Sequence, residues 1–576
     1  MRKKTDEILN DCFTQLSKVE DVCIHNYFVK EHKEYIQAWR LTTTISIRDA
    51  VAEDIIFILG FKNTFPYTLP DIYYCDKRYD YFPHIDYNNR KLCLYNENIV
   101  FSTSNPYQLI RAIIKRAKQI IQNGTSEHCD NFHDEIINYW DLIYGNEPPI
   151  EFGWIHTISS FDHSRLLKLY SSEYLEQYNC RACIVDSDNN IEYIKYFKAK
   201  FGSKFIEHNA LFLANINIPA TPPYSITTDI FSSWITSEED SKKYHHYLRT
   251  EPGLLIILFR LGDTNLLGGF IYGNINTNRN GFRKGKLTKY DILTGIERNK
   301  PLRRLLVYEY SKQRIALRTA GRESKMYQIA IAGLGSIGSY LCHFLNSLNS
   351  PKFLLVDNDV FNVNNIGRHL LGFNYLNRPK VDGIRDYLKA INPNQEIITY
   401  RGGIESYITE YLCDINKYDI LILCTGHIMS ELFVLELVES KQLNIPIIII
   451  WLEPYGIAGH VVYIDNWTGA SIKDKILSNN MLYRYNIIKD EEYCHKEFTM
   501  KDAGCNGEYT LYSGNDVMLF LSAIYPVINR LLNSRRVEKC ASRCFRWIGD
   551  TAISKEKDIQ LKDIEIKPYE ITEYII

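Results

Sequence analysis

The sequence predicts a multidomain protein that combines α/β and α+β folds, and three observations predict it. A chain of 576 residues is long enough for roughly three or four domains. Its C-terminal part repeats short apolar runs separated by helix-length segments, as a parallel sheet covered on both faces does. Its N-terminal part has one helical pattern and then alternating stretches that read as antiparallel strands. We place an α+β domain over residues 1–150, a mixed α/β linker domain over 151–315, and a doubly wound α/β domain over 316–576.

Composition sets limits on function. Hydrophobic residues are 45% and charged residues 24%, an ordinary globular balance. The net charge of −2 gives no reason to expect nucleic acid or an anionic membrane as a partner. No run reaches the ~18 apolar residues of a membrane helix, and Ile445 to Leu452 is strand-sized. The stretch Met1 to Glu7 lacks the apolar core of a signal peptide. With 14 cysteines and no export signal, free thiols in a cytoplasmic protein are expected. Cys540 and Cys544 lack a second close pair for zinc and read as two core residues one helical turn apart.

The N-terminal domain begins with a helical pattern at Ile8, Cys12 and Leu16, followed by strands over Trp39 to Ile47 and Ile55 to Phe61. Pro66 and Pro70 then fix an extended turn into the strand Asp71 to Tyr74. Cys75, on that strand-like run, reads as core. Next comes Tyr81-Phe82-Pro83-His84-Ile85-Asp86, and shortly after it Leu92-Cys93-Leu94. A helix follows with Asn105 as N-cap and Pro106 at its first position. This order resembles the ubiquitin-conjugating fold, with Phe65 where that family has Tyr in Y-P-x-x-x-P. The resemblance implies a thioester on Cys93, whereas the plain alternative is a small buried residue between two leucines. His84-Ile85-Asp86 replaces the family's His-Pro-Asn, and Asn88 or Asn89 is the candidate stand-in for its Asn.

Pro148-Pro149 and Gly153 mark the next boundary. Ser164 to Tyr178 reads as helix, Cys183 to Asp186 as strand, and Leu254 to Leu261 and Leu266 to Tyr272 as buried strands. No catalytic constellation stands out, and a spacer role is expected. Leu305, Tyr308 and Ile315 form a helical pattern among Arg303, Arg304, Lys312, Arg314, Arg318 and Arg322.

The C-terminal domain opens with the apolar run Ile329 to Ala332, the glycine turn Gly333-Leu334-Gly335-Ser336-Ile337-Gly338, and a helix facing inward through Leu341, Phe344, Leu345 and Leu348. A second apolar run, Phe353 to Val356, ends in Asp357. Such a unit brings backbone N–H groups to a phosphate and an acid to a ribose. Asp357, Asp359, Asn365, Arg368 and Lys380 follow in close order. A hydride-transfer enzyme has no need for an Asn, an Arg and a Lys so soon after the ribose acid, whereas attack on an ATP α-phosphate must neutralise charge as pyrophosphate leaves. The D-x-D…N-x-x-R…K pattern resembles the ThiF/MoeB-like adenylating family, a Rossmann-like fold that includes ubiquitin-activating enzymes. The resemblance implies ATP and Mg²⁺, with Asp357 at the ribose and Asn365, Arg368 and Lys380 at the phosphates. It implies too that Arg314 or Arg318 reaches the ATP of a partner in a homodimer. The family's fourth strand usually ends in a metal-binding Asp. Here Cys424-Thr425-Gly426-His427 stands there, so the metal ligand is unassigned.

Further strands are expected at Glu396 to Tyr400, Ile420 to Cys424 and Ile445 to Leu452, then an antiparallel extension from Gly456 to Asp465. Cys505, in Ala503-Gly504-Cys505-Asn506-Gly507, precedes a helix with Ser513 as N-cap and Asp516 three residues on. Activating enzymes place an acceptor cysteine in such a crossover. Cys505 is the candidate, and Cys494 beside His495 is the rival.

The order of modules resembles the fused activating–conjugating proteins of bacterial CBASS anti-phage systems. That implies adenylation of the C-terminal tail of a CD-NTase, a cyclic-nucleotide synthase, or of another tailed protein. It further implies passage of the acyl group to Cys505, then Cys93, then a target amine. Three alternatives stand beside it: a sulfur-carrier adenylyltransferase with a non-catalytic N-terminal domain, an interaction protein, and a nicotinamide-dependent oxidoreductase.

Overall fold

The computed structural model describes residues 2–27, 34–47, 51–76, 83–86, 89–95, 99–124, 135–143, 150–155, 162–171, 182–185, 195–196, 198–199, 206–219, 225–262, 267–272, 275–283, 285–309, 312–321, 327–349, 352–393, 395–465, 467–469, 471–501, 508–534 and 541–576. The chain divides into two compact units, Met1–Ser187 with Lys204–Tyr310, and Asp188–Ser203 with Ser311–Ile576.

The first unit starts with α1 (Arg2–Leu16), which buries Leu9, Cys12 and Leu16 at helical spacing. Strands β1 (Val22–Tyr27), β2 (Tyr35–Ile47), β3 (Val51–Lys62) and β4 (Asp71–Tyr74) form an antiparallel meander in that order. Its inner face carries alternate residues, Trp39 and Leu41 from β2 and Phe57, Leu59 and Phe61 from β3. Helix α2 (Pro106–Gly124) lies on that face with Ile110, Ile113, Ala117 and Ile121 buried. Asn105 starts it by accepting the N–H of Gln108 at 3.1 Å.

The short helix α3 (Ile136–Trp140) leads to a seven-stranded closed barrel. Its strands are β5 (Glu151–Ile155), β6 (Arg165–Ser171), β7 (Ala182–Val185), β8 (Ile206–Phe212), β9 (Leu255–Arg260), β10 (Leu267–Tyr272) and β11 (Arg303–Glu309), closed in the order β10-β11-β5-β7-β6-β8-β9. Helices α4 (Thr228–Trp234) and α5 (Glu238–Thr250) cover it around Phe231, Phe259 and Phe270. Trp140 anchors α3 in the same cluster, its ring 5.7 Å from those of Phe259 and Phe270. The Trp140 indole donates to the carbonyl of Leu305 at 3.1 Å, and buried Arg304 donates to the carbonyl of Trp140 at 2.7 Å.

Two expectations fail here. Arg165–Ser171, the start of the segment read as helix, is strand β6; the rest of that segment, 172–178, lies outside the described residues. Leu305 and Tyr308 sit on strand β11, and a helix begins only at Lys312. Short apolar runs fit either period, and barrel closure decides for the strand. Arg304, from the same strand, is 2% exposed and donates to backbone carbonyls.

The second unit contains α6 (Lys312–Ala320) and an eight-stranded mixed sheet. Strand β12 (Gln328–Ala332) leads to α7 (Ser336–Asn349) and β13 (Lys352–Val356). Then come α8 (Lys380–Ile391), β14 (Ile397–Tyr400), α9 (Ile404–Ile415), β15 (Ile420–Leu423), α10 (Ile428–Glu439) and β16 (Ile447–Leu452). These five strands run parallel in the order β14-β13-β12-β15-β16. Successive residues go to opposite cores: Ile329, Ile331, Phe353 and Leu355 to one, Ala330, Ala332, Leu354 and Val356 to the other. That two-sided burial explains the unbroken apolar runs of the sequence. The antiparallel extension starts at β17 (Ala458–Ile464). A two-stranded ribbon, β18 (Thr499–Lys501) and β19 (Glu508–Thr510), precedes α11 (Gly514–Ser534). Strands β20 (Arg543–Ile548) and β21 (Ile571–Ile575) complete the sheet. Cys544 is buried as expected, on strand β20 and not on a helix, and Cys540 lies outside the described residues. Among the described residues, no helix is long and apolar enough to cross a membrane.

Candidate functional site

Strand order reverses between β12 and its two neighbours, β13 and β15, and there the glycine turn opens a cavity of about 440 Å³. Gly333 adopts φ +86°, and a Cβ there would meet the Cys424 backbone at 2.6 Å. Gly338 is the tightest contact: a Cβ would stand 1.9 Å from the Gly333 carbonyl oxygen. Gly335 has open space and lines the cavity, as Gly333 does. Gly338→Ala is therefore expected to cost about 3 kcal/mol or more in chemical denaturation, while Gly335→Ala stays within about 1 kcal/mol. Equal midpoints for the two variants would contradict this packing.

Asp357 and Asp359 sit at the mouth of β13. The Asp357 carboxylate accepts the N–H of Leu334 at 2.5 Å and of Asp359 at 2.8 Å, tying the acid loop to the glycine turn. Burial raises its pKa against the opposing pull of Lys380 and those N–H groups. Lys380 opens α8; its side chain is 7% exposed, and its ammonium lies 2.7 Å from the carboxylate of Asp359, whose side chain is 60% exposed. Asp357, Asp359 and Lys380 all face the cavity, together with Glu405 in the first turn of α9.

No acid follows β15. Thr425 donates instead to Glu431 at 3.3 Å, one turn into α10, and Tyr483 donates to the other oxygen at 2.6 Å. Glu431 is 3% exposed and lies behind the cavity wall. Burial raises its pKa to about 7 from an ordinary 4.5. The folded state thus binds this proton more tightly than the unfolded chain. The stabilisation is fully present below pH 4.5 and lost as pH rises through 7. Glu431→Gln is expected to raise stability at pH 8.5 by up to about 3 kcal/mol and to leave it nearly unchanged at pH 4.5, as read from urea midpoints. A gain that is independent of pH would contradict the buried-carboxyl account.

The segment after Asp359 is pinned from below. His369 accepts the N–H of Leu371 on Nδ1 at 3.0 Å, so its hydrogen lies on Nε2, which donates to the Leu334 carbonyl at 2.8 Å. Burial lowers its pKa to about 4. The Ser336 hydroxyl donates to the Arg368 carbonyl, and the Ser339 hydroxyl accepts the N–H of Leu370 at 3.2 Å. His369, Ser336 and Ser339 escaped sequence reading, because a polar residue that bonds backbone leaves no pattern. Asn365 is buried and spends its side-chain carbonyl on the N–H of Asn362 at 3.0 Å. The Arg368 guanidinium stacks 4.0 Å from the ring centroid of Tyr509 and donates to the Thr510 carbonyl at 3.4 Å. Neither Asn365 nor Arg368 lines the cavity; they lie on its flanking segment. Arg314 and Arg318 are one turn apart on α6 and are absent from the cavity lining. Cys505 lies outside the described residues. Cys494 is exposed on the short helix Glu492–His495.

The first unit holds the other candidate. Residues 90–93 lie between β4 and the segment 84–86: Leu92 donates to Ile72 at 2.8 Å, Asp86 to Lys91 at 2.8 Å, and Cys93 to His84 at 2.8 Å. Arg90 fastens the turn by donating to the carbonyls of Tyr74 at 3.1 Å and Asp76 at 2.6 Å. Leu92 and Leu94 are buried, and Cys93 between them is exposed. The alternation turns the thiol outward, so the alternative of a buried small residue fails. Lys91 pairs with Asp71 at 2.5 Å. Burial opposes its charge, but Asp71, Tyr73 and the Cys93 thiolate together raise its pKa. Asn89 spends its side-chain carbonyl on the N–H of Lys91 at 2.8 Å, and Asn88 lies outside the described residues. Cys75, expected in the core, is exposed just beyond the end of β4.

Comparison with known proteins gives two regions. Residues 310–500 match the ThiF family, and residues 23–146 match prokaryotic E2 family B. A curated relative, the tRNA threonylcarbamoyladenosine dehydratase of Bacillus subtilis (strain 168), is 29% identical over 98 residues, 17% of this chain and 39% of its own length. Ubiquitin-like modifier-activating enzyme 5 of Caenorhabditis elegans is 25% identical over 152 residues, 24% of this chain and 34% of its own length. The chain thus spans about two fifths and one third of these relatives. Among solved structures, E. coli MccB with succinimide is 16% identical, with a TM-score of 0.29, over 43% of this chain and 63% of that one. E. coli TcdA is 17% identical, with a TM-score of 0.20, over 21% of this chain and 51% of that one.

Proposed function

We propose, from the premise that this chain joins a ThiF-family adenylation region to a prokaryotic E2 family B region as a fused activating–conjugating protein does, that it activates a carboxylate with ATP and carries the acyl group as a thioester on Cys93. One observation carries the reading: a chain with a glycine-turn cavity walled by Lys380 and Asp359 also holds a thiol, Cys93, out of a core whose neighbours Leu92 and Leu94 are buried.

The chemistry is coherent. A carboxylate is a poor electrophile. Its oxygen attacks the α-phosphorus of ATP, the bond to the leaving pyrophosphate breaks, and a mixed anhydride results. In this reading the turn Gly333 to Gly338 cradles phosphate and Asp357 meets the ribose. Lys380 offsets the charge that develops, Asn365 and Arg368 serve the phosphates from the segment that flanks the cavity, and Arg314 or Arg318 serves a partner subunit's nucleotide in a homodimer. Among the described residues, no group of three or more His, Cys, Asp or Glu side chains could cage a metal ion. The cavity carboxylates are nevertheless hard oxygen donors, and Asp359 is open to solvent. They fit Mg²⁺: Asp359 and Glu405 would hold the ion, with nucleotide phosphates and water completing its ligands. When bound, the ion offsets phosphate charge.

The thiolate of Cys505, or of its rival Cys494, then attacks the acyl carbon and AMP leaves; the Cys93 thiolate displaces that sulfur in turn, and an amine of a target protein finally displaces the Cys93 thiolate. The acyl donor in this reading is the flexible C-terminal tail of a partner, with a CD-NTase of an anti-phage system as first candidate. The test is incubation of the full chain with ATP and the protein of the neighbouring gene, followed by non-reducing electrophoresis. The expected result is an ATP-dependent adduct that thiols release and that Cys505→Ala removes. An adduct that persists in both Cys505→Ala and Cys93→Ala would overturn the relay.

A further inference from the structure

Opposite Cys93 stands a residue that the fold holds with unusual care. The bridge between Ile85 and Leu92, with the bond from Cys93 N–H to the His84 carbonyl, places His84 directly across from Cys93. His84 has φ +67°, a left-handed conformation that costs an L-residue about 1 kcal/mol and survives only where its surroundings impose it. What imposes it is Glu135. One Glu135 oxygen accepts the backbone N–H of His84 at 2.9 Å, and the other lies 2.5 Å from His84 Nδ1. The Tyr139 hydroxyl donates to the same carboxylate at 2.7 Å. Burial works against the charge on Glu135, yet these three donors hold its pKa below the ordinary carboxylate value. The Glu135 side chain is 16% exposed and that of His84 32%, so the pair is more sheltered at the acid than at the imidazole.

Glu135 does not belong to the sheet that carries Cys93. It precedes α3, and α3 is fixed to the barrel through buried Tyr139 and Trp140, the Leu305 carbonyl and Arg304. The barrel therefore has a part in the Cys93 site that a spacer lacks: it presents the carboxylate that orients His84. With Nδ1–H committed to Glu135, Nε2 is the ring's acceptor, and among the described residues it has no partner.

We propose that His84 is the base for aminolysis at Cys93 and that Glu135, held by the barrel, is its positioning residue. This deepens the reading of Cys93 as a thioester carrier and rests on it. The incoming amine adds its lone pair to the thioester carbonyl carbon. His84 Nε2 takes one of the amine's protons. The C–S bond then breaks, with its electron pair leaving on Cys93 Sγ. A glutamine at 135 keeps the size but has one oxygen for three donors, so the imidazole loses its fixed tautomer and direction.

The test loads the full-length chain without ATP, using a glycine-ended peptide as its mercaptoethanesulfonate thioester, and locates the acyl group by mass spectrometry with Cys93→Ala as control. The loaded protein is then discharged by free lysine and, separately, by hydroxylamine. Hydroxylamine is far less basic, so its adduct sheds a proton with little help. In Glu135→Gln the ratio of lysine to hydroxylamine discharge is expected to fall about 10-fold or more. His84→Gln should lower it at least as far, and the double variant no further than His84→Gln alone. A merely structural role would slow both nucleophiles alike. An unchanged ratio in Glu135→Gln, or effects of the two variants that multiply, overturns the proposal while Cys93 remains the carrier. Wild type that takes no acyl group on Cys93 overturns the carrier reading, and the base falls with it.

Discussion

Lys380→Met is expected to slow acyl-adenylate formation about 100- to 1000-fold, on the order of 3–4 kcal/mol of transition-state stabilisation. The effect is large because of where the charge sits. The side chain is 7% exposed at the head of α8, and its ammonium is held 2.7 Å from Asp359 at the cavity edge. Negative charge builds on the departing pyrophosphate, and a fixed cation there stabilises the transition state more than bound ATP. ATP affinity should therefore fall much less than the rate. Methionine keeps the apolar stem, and Asp359 is 60% exposed and regains water when unpaired, so stability should change by no more than about 1 kcal/mol. The assay is exchange of labelled pyrophosphate into ATP with the neighbouring-gene protein as acyl donor. Exchange at the wild-type rate would remove Lys380 from the chemistry.

Cys93→Ala is expected to abolish ligation to an amine, more than about 1000-fold, while exchange of pyrophosphate stays within about 2-fold of wild type. Its thiol is exposed and its substitution touches no core, so the folded state should be unchanged within about 0.5 kcal/mol. Cys93→Ser should trap the acyl group as an oxygen ester that thiols do not release. The buried Cys12, Cys342, Cys424 and Cys544 provide the contrast. Burial pushes the Cys12 thiol up to about 11 and the Cys544 thiol to about 12, so these side chains pack as small apolar groups. Loss of pyrophosphate exchange in Cys93→Ala would separate Cys93 from the relay and tie it to the fold.

The sequence was most readable where local chemistry and fold agree. The glycine turn, the two-sided apolar strands and Asp357 at the end of β13 all mark the strand-order reversal, and the structure builds its cavity there. Asn105 and Ser513 cap their helices as their side chains predict, accepting the N–H of Gln108 and of Asp516. Reading failed where distant contacts decide. Residues 165–171 suit helix or strand, and pairing with β8 in the barrel selects strand. The Leu-Cys-Leu triplet states an alternation but not which face is buried; the bonds to Ile72 and His84 settle that. Glu135 left no signal at all. It is brought to His84 from 51 residues away by a helix that a barrel anchors, and no local pattern encodes that approach.

One measurement tests the central claim most directly: ATP-dependent acylation of the full-length chain by the neighbouring-gene protein, with the modified residue mapped by mass spectrometry before and after thiol treatment. The account predicts a thiol-labile acyl group on Cys93 that requires ATP, disappears in Lys380→Met, and moves to an amine when a target is supplied. An acyl group that forms on Cys93 without ATP, or an ATP-dependent amide product made equally well by Cys93→Ala, would contradict it.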